Sequence, residues 1–177
     1  KQFPRLSGCK PPGLRAILAV FFALLLVASP SLAADEDYSM IFLVRHAEKL
    51  EGGDDPRLSA AGKQRAERLA GMLADAGITG ISSTDYARTR ETAAPLARAT
   101  DLGVTLYDPS EPTQFTEFLK KKPGRHLVIG HSNTVPDLVD RLGGTPGPDI
   151  DEESEYDRLY IVTRDGVGKV STVLLRY

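Results

Sequence analysis

Apolar and polar positions fall in blocks of strand length and helix length that alternate through most of the chain. After the polar lead "DEDYS", Met40-Ile41-Phe42-Leu43-Val44 is a continuous, partly β-branched apolar run, the pattern of a strand buried on both faces. His46 falls just past its carboxyl end. "EGGDDPRLSAAG" has turn chemistry, and Ser59 is placed to cap a helix to about Ala76, with Ala66, Leu69, Ala70, Leu73 and Ala76 at helical spacing and Gly77 to stop it. "GITGISS" predicts a short strand, Tyr86 to Ala99 a helix, and Val104-Thr105-Leu106 another short strand. Residues 113–121 read as helical, and "HLVIG" (126–130) is a strand whose end again meets a histidine, His131. Asn133 is placed to cap the next helix, with Pro136 tolerated in its first turn. "LYIVT" and "KVSTVLLRY" flank Asp165-Gly166 as a terminal hairpin or two edge strands.

This alternation predicts an α/β domain, a three-layer α/β/α sandwich with a mostly parallel central sheet. Ligands of such sheets sit outside the carboxyl ends of the strands. Two of the chain's three histidines, His46 and His131, fall at that rim.

The first residues follow a different pattern. "AILAVFFALLLVA" (16–28) is an apolar run preceded by Lys1, Arg5, Lys10 and Arg15 without an acid, and followed by "SPSLAAD". A bilayer span needs about 20 apolar residues, so the shorter run reads as a secretory signal peptide, with Ser31 and Ala33 as the small residues of a cleavage site. Residues 1–33 are therefore expected to be removed, cleavage falling before Ala34 or Asp35, and 34–177 to form a periplasmic or secreted domain with no stable membrane insertion. The whole chain carries 22 Lys+Arg against 24 Asp+Glu. Without the four bases of the signal the balance is 18 to 24, a net charge of −6. An acidic surface argues against nucleic acid as a partner. The single cysteine, Cys9, leaves with the signal, so the exported domain is expected to lack disulfides and thiol chemistry.

Between the two histidines lies "SSTDYARTRETAAPLA" (82–97), which follows a strand, opens a helix and carries Arg88 and Arg90. Arg45, one arginine from this helix and the two histidines together suit a tetrahedral dianion, because guanidinium groups bind phosphate oxygens in a fork. The helix starting near Asn133 would add its dipole. Arg88 and Arg90 lie about 200° apart on a helix and do not both face one pocket; the helical pattern alone leaves the choice open.

"LVRHAEK", "SSTDYARTRETAAPLA" and "LVIGHSNTV" resemble, in order and spacing, the three signature segments of the histidine phosphatase superfamily, also called phosphoglycerate mutase-like. The resemblance covers nearly all of residues 34–177. It implies a phosphoglycerate mutase-like fold and a metal-independent phosphomonoester hydrolase without cofactor. His46 would be the nucleophile that becomes phosphorylated, with Arg45, Arg88 and His131 binding phosphate; the family's arginine four residues before Thr-Ala selects Arg88. The substrate implied is a small phosphorylated molecule or a phosphorylated envelope component.

The chain also departs from that pattern. Mutases of the family carry a long insertion with a glutamate general acid near a Trp-Glu-Gly segment, whereas 101–112 here is short and lacks Trp. The chain is similar instead to the compact bacterial branch, which includes phosphohistidine phosphatases and exported envelope phosphatases. Glu48, two residues past His46, is the first substitute for the missing acid, followed by Asp85 and Asp108; pairing of Glu48 with Arg45 or a neighbouring lysine is its alternative. Competing readings are a catalytically weak or inactive phosphate-binding member, and a phosphoglycerate mutase. A metal hydrolase is disfavoured because His126 and His131, five apart, would point to opposite faces of one strand. "DEESEYD" (151–157) lacks the ligand spacing of a calcium loop and reads as a solvated loop.

Overall fold

The computed structural model describes residues 38–177, together with the isolated Gln2. The signal segment expected over 1–33, Gln2 apart, lies outside the described residues, as does its cleavage site. The described fold falls in the unit Ala34–Tyr177. Among the described residues no helix is long and apolar enough to cross a membrane.

Strands and helices follow in the order β1 (Ser39–Arg45), α1 (Ala60–Leu73), β2 (Gly80–Ser83), α2 (Ala87–Thr100), β3 (Val104–Leu106), α3 (Pro112–Lys120), β4 (Gly124–Gly130), α4 (Thr134–Arg141), β5 (Arg158–Arg164) and β6 (Val170–Arg176). They form one six-stranded sheet in the order β3-β2-β4-β1-β5-β6. β1 with β4, β2 with β4 and β2 with β3 pair in parallel, each reached through a helical crossover. β5 is antiparallel to both β1 and β6, so the sheet is mixed, with β5 alone running against the other five strands. The turn after β5 imposes this at the edge: Asp165 accepts from the amides of Val167 and Lys169 and joins β5 to β6 directly, and so short a link can make only an antiparallel pair.

Side-chain alternation along β1 supplies two cores. Ile41 and Leu43 pack with Phe115 and Leu119 of α3 and Val135, Leu138 and Val139 of α4. Phe42 and Val44 pack with Leu69, Ala70 and Leu73 of α1 and Ala93 and Leu96 of α2. A strand that is apolar at every position thus serves both faces.

Helix ends differ from the expected ones for local reasons. Ser59 caps α1 through Gly62 N–H, but α1 stops at Leu73 rather than Ala76, because Ala76 N–H turns to Leu73 O at 3.0 Å and Gly77 takes φ +66. Asn133 precedes α4 in a helical conformation and its side chain makes no cap bond. Of the amides it would take, Val135 N–H donates to His131 O at 3.0 Å and Pro136 has none; separately, Thr134 Oγ1 accepts from His131 N–H at 2.9 Å.

Candidate active site

Strand register creates the site. β1 and β4 run in parallel with Arg45 opposite Gly130, and His46 N–H donates to Gly130 O at 2.9 Å. The residues that follow on each strand, His46 and His131, therefore leave the sheet side by side, their rings 5.5 Å apart at 67°. Gly130 has no room for a side chain: a Cβ would stand 2.9 Å from Thr134 Oγ1 and 3.0 Å from the Tyr107 hydroxyl.

His46 is 3% exposed, and its Nδ1 lies 2.8 Å from Ala47 O. A carbonyl oxygen only accepts, so Nδ1 carries the proton and Nε2 keeps its lone pair. Burial depresses the His46 pKa to about 3; the Ala47 bond opposes this, while Arg45, Arg88 and His131 add to it. The loop after His46 is anchored by α2, since Ala47 N–H donates to Thr92 Oγ1 at 3.0 Å and Thr92 in turn donates to Arg88 O at 2.8 Å.

His131 is also held neutral. Burial, then Arg88 and Arg45, lower its pKa to about 4. Its Nε2 lies 3.0 Å from Thr84 Oγ1, which continues to Thr89 Oγ1 at 3.1 Å. Tyr86 stands edge-on to the imidazole at 5.1 Å.

The two arginines converge from different elements. Arg45 is buried at the end of β1, with its guanidinium 4.0 Å over the Tyr156 ring. Its Nη1 donates to Asp151 O and Glu155 O at 3.1 and 2.9 Å, and its Nη2 to Glu152 O at 2.6 Å. Arg88 lies 4.4 Å over the Tyr86 ring, with Asp55 3.7 Å from Nη1. The Nε of each arginine is buried and has no partner among the described residues. An unsatisfied buried N–H on a cation costs about 1–3 kcal/mol or more, and a tetrahedral anion would relieve both. Arg90 is turned outward to Asp85 and Asp55.

A cavity of about 510 Å³ opens over this group, lined by His46, Arg88 and His131 at its base and by Lys49, Ser110 and Glu152 among its walls. Glu48 is not part of the lining. Its carboxylate accepts a forked pair of bonds from Arg65, at 2.8 to 3.0 Å, and Arg65 also donates to Tyr177 O. Its pKa is lowered: burial pushes it up, but the Arg65 bonds outweigh this. A carboxylate held ionised in this way is a poor proton donor, so the acid expected at Glu48 is corrected to an ion pair, formed with Arg65 rather than with Arg45 or a lysine. Asp85 is occupied by Arg90, and Asp108 Oδ1 by the amide and hydroxyl of Ser110 at 2.8 and 2.6 Å.

The segment 151–157, read from sequence as a solvated loop, is exposed over 151–154 and also cradles Arg45. Its acceptors there are main-chain carbonyls, which leave no mark in the side-chain pattern. Glu155 pins the loop by pairing with Arg158 and Arg176 at 2.6 and 2.7 Å. Among the described residues no group of three His, Cys, Asp or Glu side chains is placed to hold a metal ion.

Residues 41–109 match the histidine phosphatase superfamily (branch 1). A protein of Escherichia fergusonii named probable phosphoglycerate mutase GpmB is 38% identical over 73 residues, 37% of this chain and 34% of the relative. The match thus spans about a third of the length of that relative. Among solved structures, the protein histidine phosphatase SixA complexed with tungstate superposes with a TM-score of 0.62 at 19% identity, over 77% of this chain and 96% of that one. The alpha-ribazole phosphatase of Shigella flexneri gives 0.60 at 14%, over 78% and 96%. Phosphoglycerate mutase of Plasmodium falciparum gives 0.56 at 20%, over 79% and 90%. At these identities the structural likeness concerns the fold.

Proposed function

We propose that this chain, a member of the histidine phosphatase superfamily, is a phosphomonoester hydrolase working through a phosphohistidine on His46. One observation carries the reading: His46 is neutral, its Nδ1–H is held by Ala47 O, which leaves Nε2 bare, and it lines a pocket with the half-buried Arg88 and a second imidazole, next to the buried Arg45. Nε2 attacks phosphorus in line as the ester P–O bond breaks, and the leaving oxygen departs with that electron pair. Arg45 and Arg88, through the Nε–H groups without partners, and His131 bear on the equatorial oxygens, where charge gathers in the transition state. Water then attacks phosphorus, the N–P bond breaks, and its electrons return to Nε2 with release of inorganic phosphate.

The arginines supply electrostatic stabilisation that a divalent cation provides elsewhere, and their charge repels such a cation from the same space. The reading is therefore metal-independent. The two cores on opposite faces of the sheet support the layered, phosphoglycerate mutase-like arrangement that this chemistry accompanies. Residues 1–33 are proposed as an export signal, which puts the enzyme in the periplasm or outside the cell and its substrates among small phosphate esters or phosphorylated envelope components.

The test is rapid-quench labelling of the 34–177 domain with ³²P-labelled phosphomonoester. An acid-labile, base-stable phosphoryl group on His46 is expected, with turnover unchanged by EDTA. Binding of inorganic phosphate without turnover of any phosphomonoester would assign the chain to a binding role instead.

A further inference from the structure

We propose that Glu152 donates the proton to the leaving oxygen, an inference that rests on the phosphatase reading above. Departure of an alkoxide needs a proton, whereas an aryl oxide such as p-nitrophenolate leaves without one. The carboxylates around the site sort by what already holds them. Glu48 is clamped by Arg65. Asp55 accepts from Ala87 N–H and faces Arg88 and Arg90. Asp85 pairs with Arg90, and Asp108 with Ser110. In the loop itself, Asp151 accepts from Glu153 N–H and Ser154, and Glu155 from Arg158 and Arg176.

Glu152 differs in two respects. Among the described residues it is the only carboxylate that lines the cavity with His46, Arg88 and His131. Its main chain is fixed beside the phosphate site, because Glu152 O accepts from Arg45 Nη2 at 2.6 Å, while its carboxylate enters no hydrogen bond or ion pair with the described residues. The loop thus brings to the cavity lining a carboxyl group that has no hydrogen-bond or ion-pair partner among the described residues, with the Arg45 guanidinium the nearby charge that acts on it. In the first step the Glu152 carboxylic acid gives its proton to the leaving oxygen as the P–O bond breaks. In the second, the resulting carboxylate takes a proton from the water that attacks phosphohistidine, which restores the acid.

The experiment compares Glu152→Gln and Glu152→Asp with the unaltered domain on β-glycerophosphate and p-nitrophenyl phosphate. Glu152→Gln is expected to lower kcat on the alkyl ester about 10²-fold and on the aryl ester less than about 3-fold, with Glu152→Asp between. The thermal midpoint should stay unchanged, since no partner of the carboxylate is lost. Equal losses on both esters, no loss on the alkyl ester, or an unaltered domain that turns over only the aryl ester would each overturn the assignment. Failure of the unaltered domain to form phosphohistidine from p-nitrophenyl phosphate sinks the phosphatase reading itself, a result separate from these.

Discussion

His46 and His131 leave adjacent parallel strands with their rings 5.5 Å apart, and both are held neutral by burial and by the two guanidinium groups beside them. Two imidazolium ions at that distance would repel, and the register of β1 and β4 allows no retreat. Their pKa values, about 3 and about 4, lie below the ordinary 6.5. The unfolded chain therefore binds more protons than the folded one between those limits. Stability should be complete above about pH 6.5 and fall as pH drops toward 4. Ring ¹⁵N shifts should show no titration of either histidine between pH 5 and 8, and urea midpoints should be lower at pH 5 than at pH 7. A ring titrating near 6.5 would mean that water reaches it.

Substitution at the base of the pocket should separate the nucleophile from its neighbours. His46→Ala removes the atom proposed to bond phosphorus and should abolish turnover and labelling alike. His131→Ala and Arg88→Ala each remove one group facing the developing charge and should lower kcat by about 10²-fold or more while the protein stays folded. Arg90 is exposed and paired with Asp85, so Arg90→Ala should stay within a few-fold of the unaltered protein. Comparable damage at positions 88 and 90 would mean that α2 presents a different face to phosphate.

Glu48 should behave as a structural group. Its forked pairing with Arg65, which also reaches Tyr177 O, ties the loop after His46 to α1 and to the end of β6. Glu48→Gln keeps the shape but gives up the charge-assisted bonds, at a cost of about 1–3 kcal/mol. Denaturant midpoints should fall, and turnover of alkyl and aryl esters should fall by the same factor. The Glu48 contribution should be present above the ordinary carboxylate pKa of about 4.5 and vanish as pH drops below it, because the folded pKa is the lower one. A loss confined to the alkyl ester would return the proton-donor role to Glu48.

Much of this arrangement is legible in the residues. Buried strands announce themselves by unbroken apolar runs, so Ser39–Arg45 and Gly124–Gly130 and the histidines that follow them could be placed without coordinates. What escapes is whatever depends on partners distant in sequence. Arg65 meets Glu48 across 17 residues, and Arg45 meets the carbonyls of 151–155 across more than 100. A carbonyl acceptor is common to every residue type, so an acidic stretch that cradles an arginine through its backbone looks like a solvated loop. Asn133 shows the converse: the residue type suits a cap, but Val135 N–H already donates to His131 O and Pro136 has no N–H to offer.

Two glycines of α1 provide a paired test of how tightly the helix supports the loop bearing His46. Gly71 is exposed in the last turn of α1, and a Cβ there would meet nothing within 4 Å. Gly62 is buried in the first turn, and a Cβ there would stand 2.1 Å from Glu48 O, the carbonyl that also accepts Ser59 N–H at 2.9 Å. Replacing a helical glycine by alanine ordinarily stabilises by about 0.5–1 kcal/mol. Gly71→Ala should show that gain as a raised denaturant midpoint with kcat unchanged. At Gly62 the overlap is with rigid backbone, and relieving it costs about 1–3 kcal/mol or more, which outweighs the helical gain. Gly62→Ala should therefore lower the midpoint and, by displacing Glu48 and the loop behind it, reduce kcat as well. Equal stabilisation by the two substitutions would show that α1 is free to move away from Glu48 and that the loop after His46 does not depend on the contact.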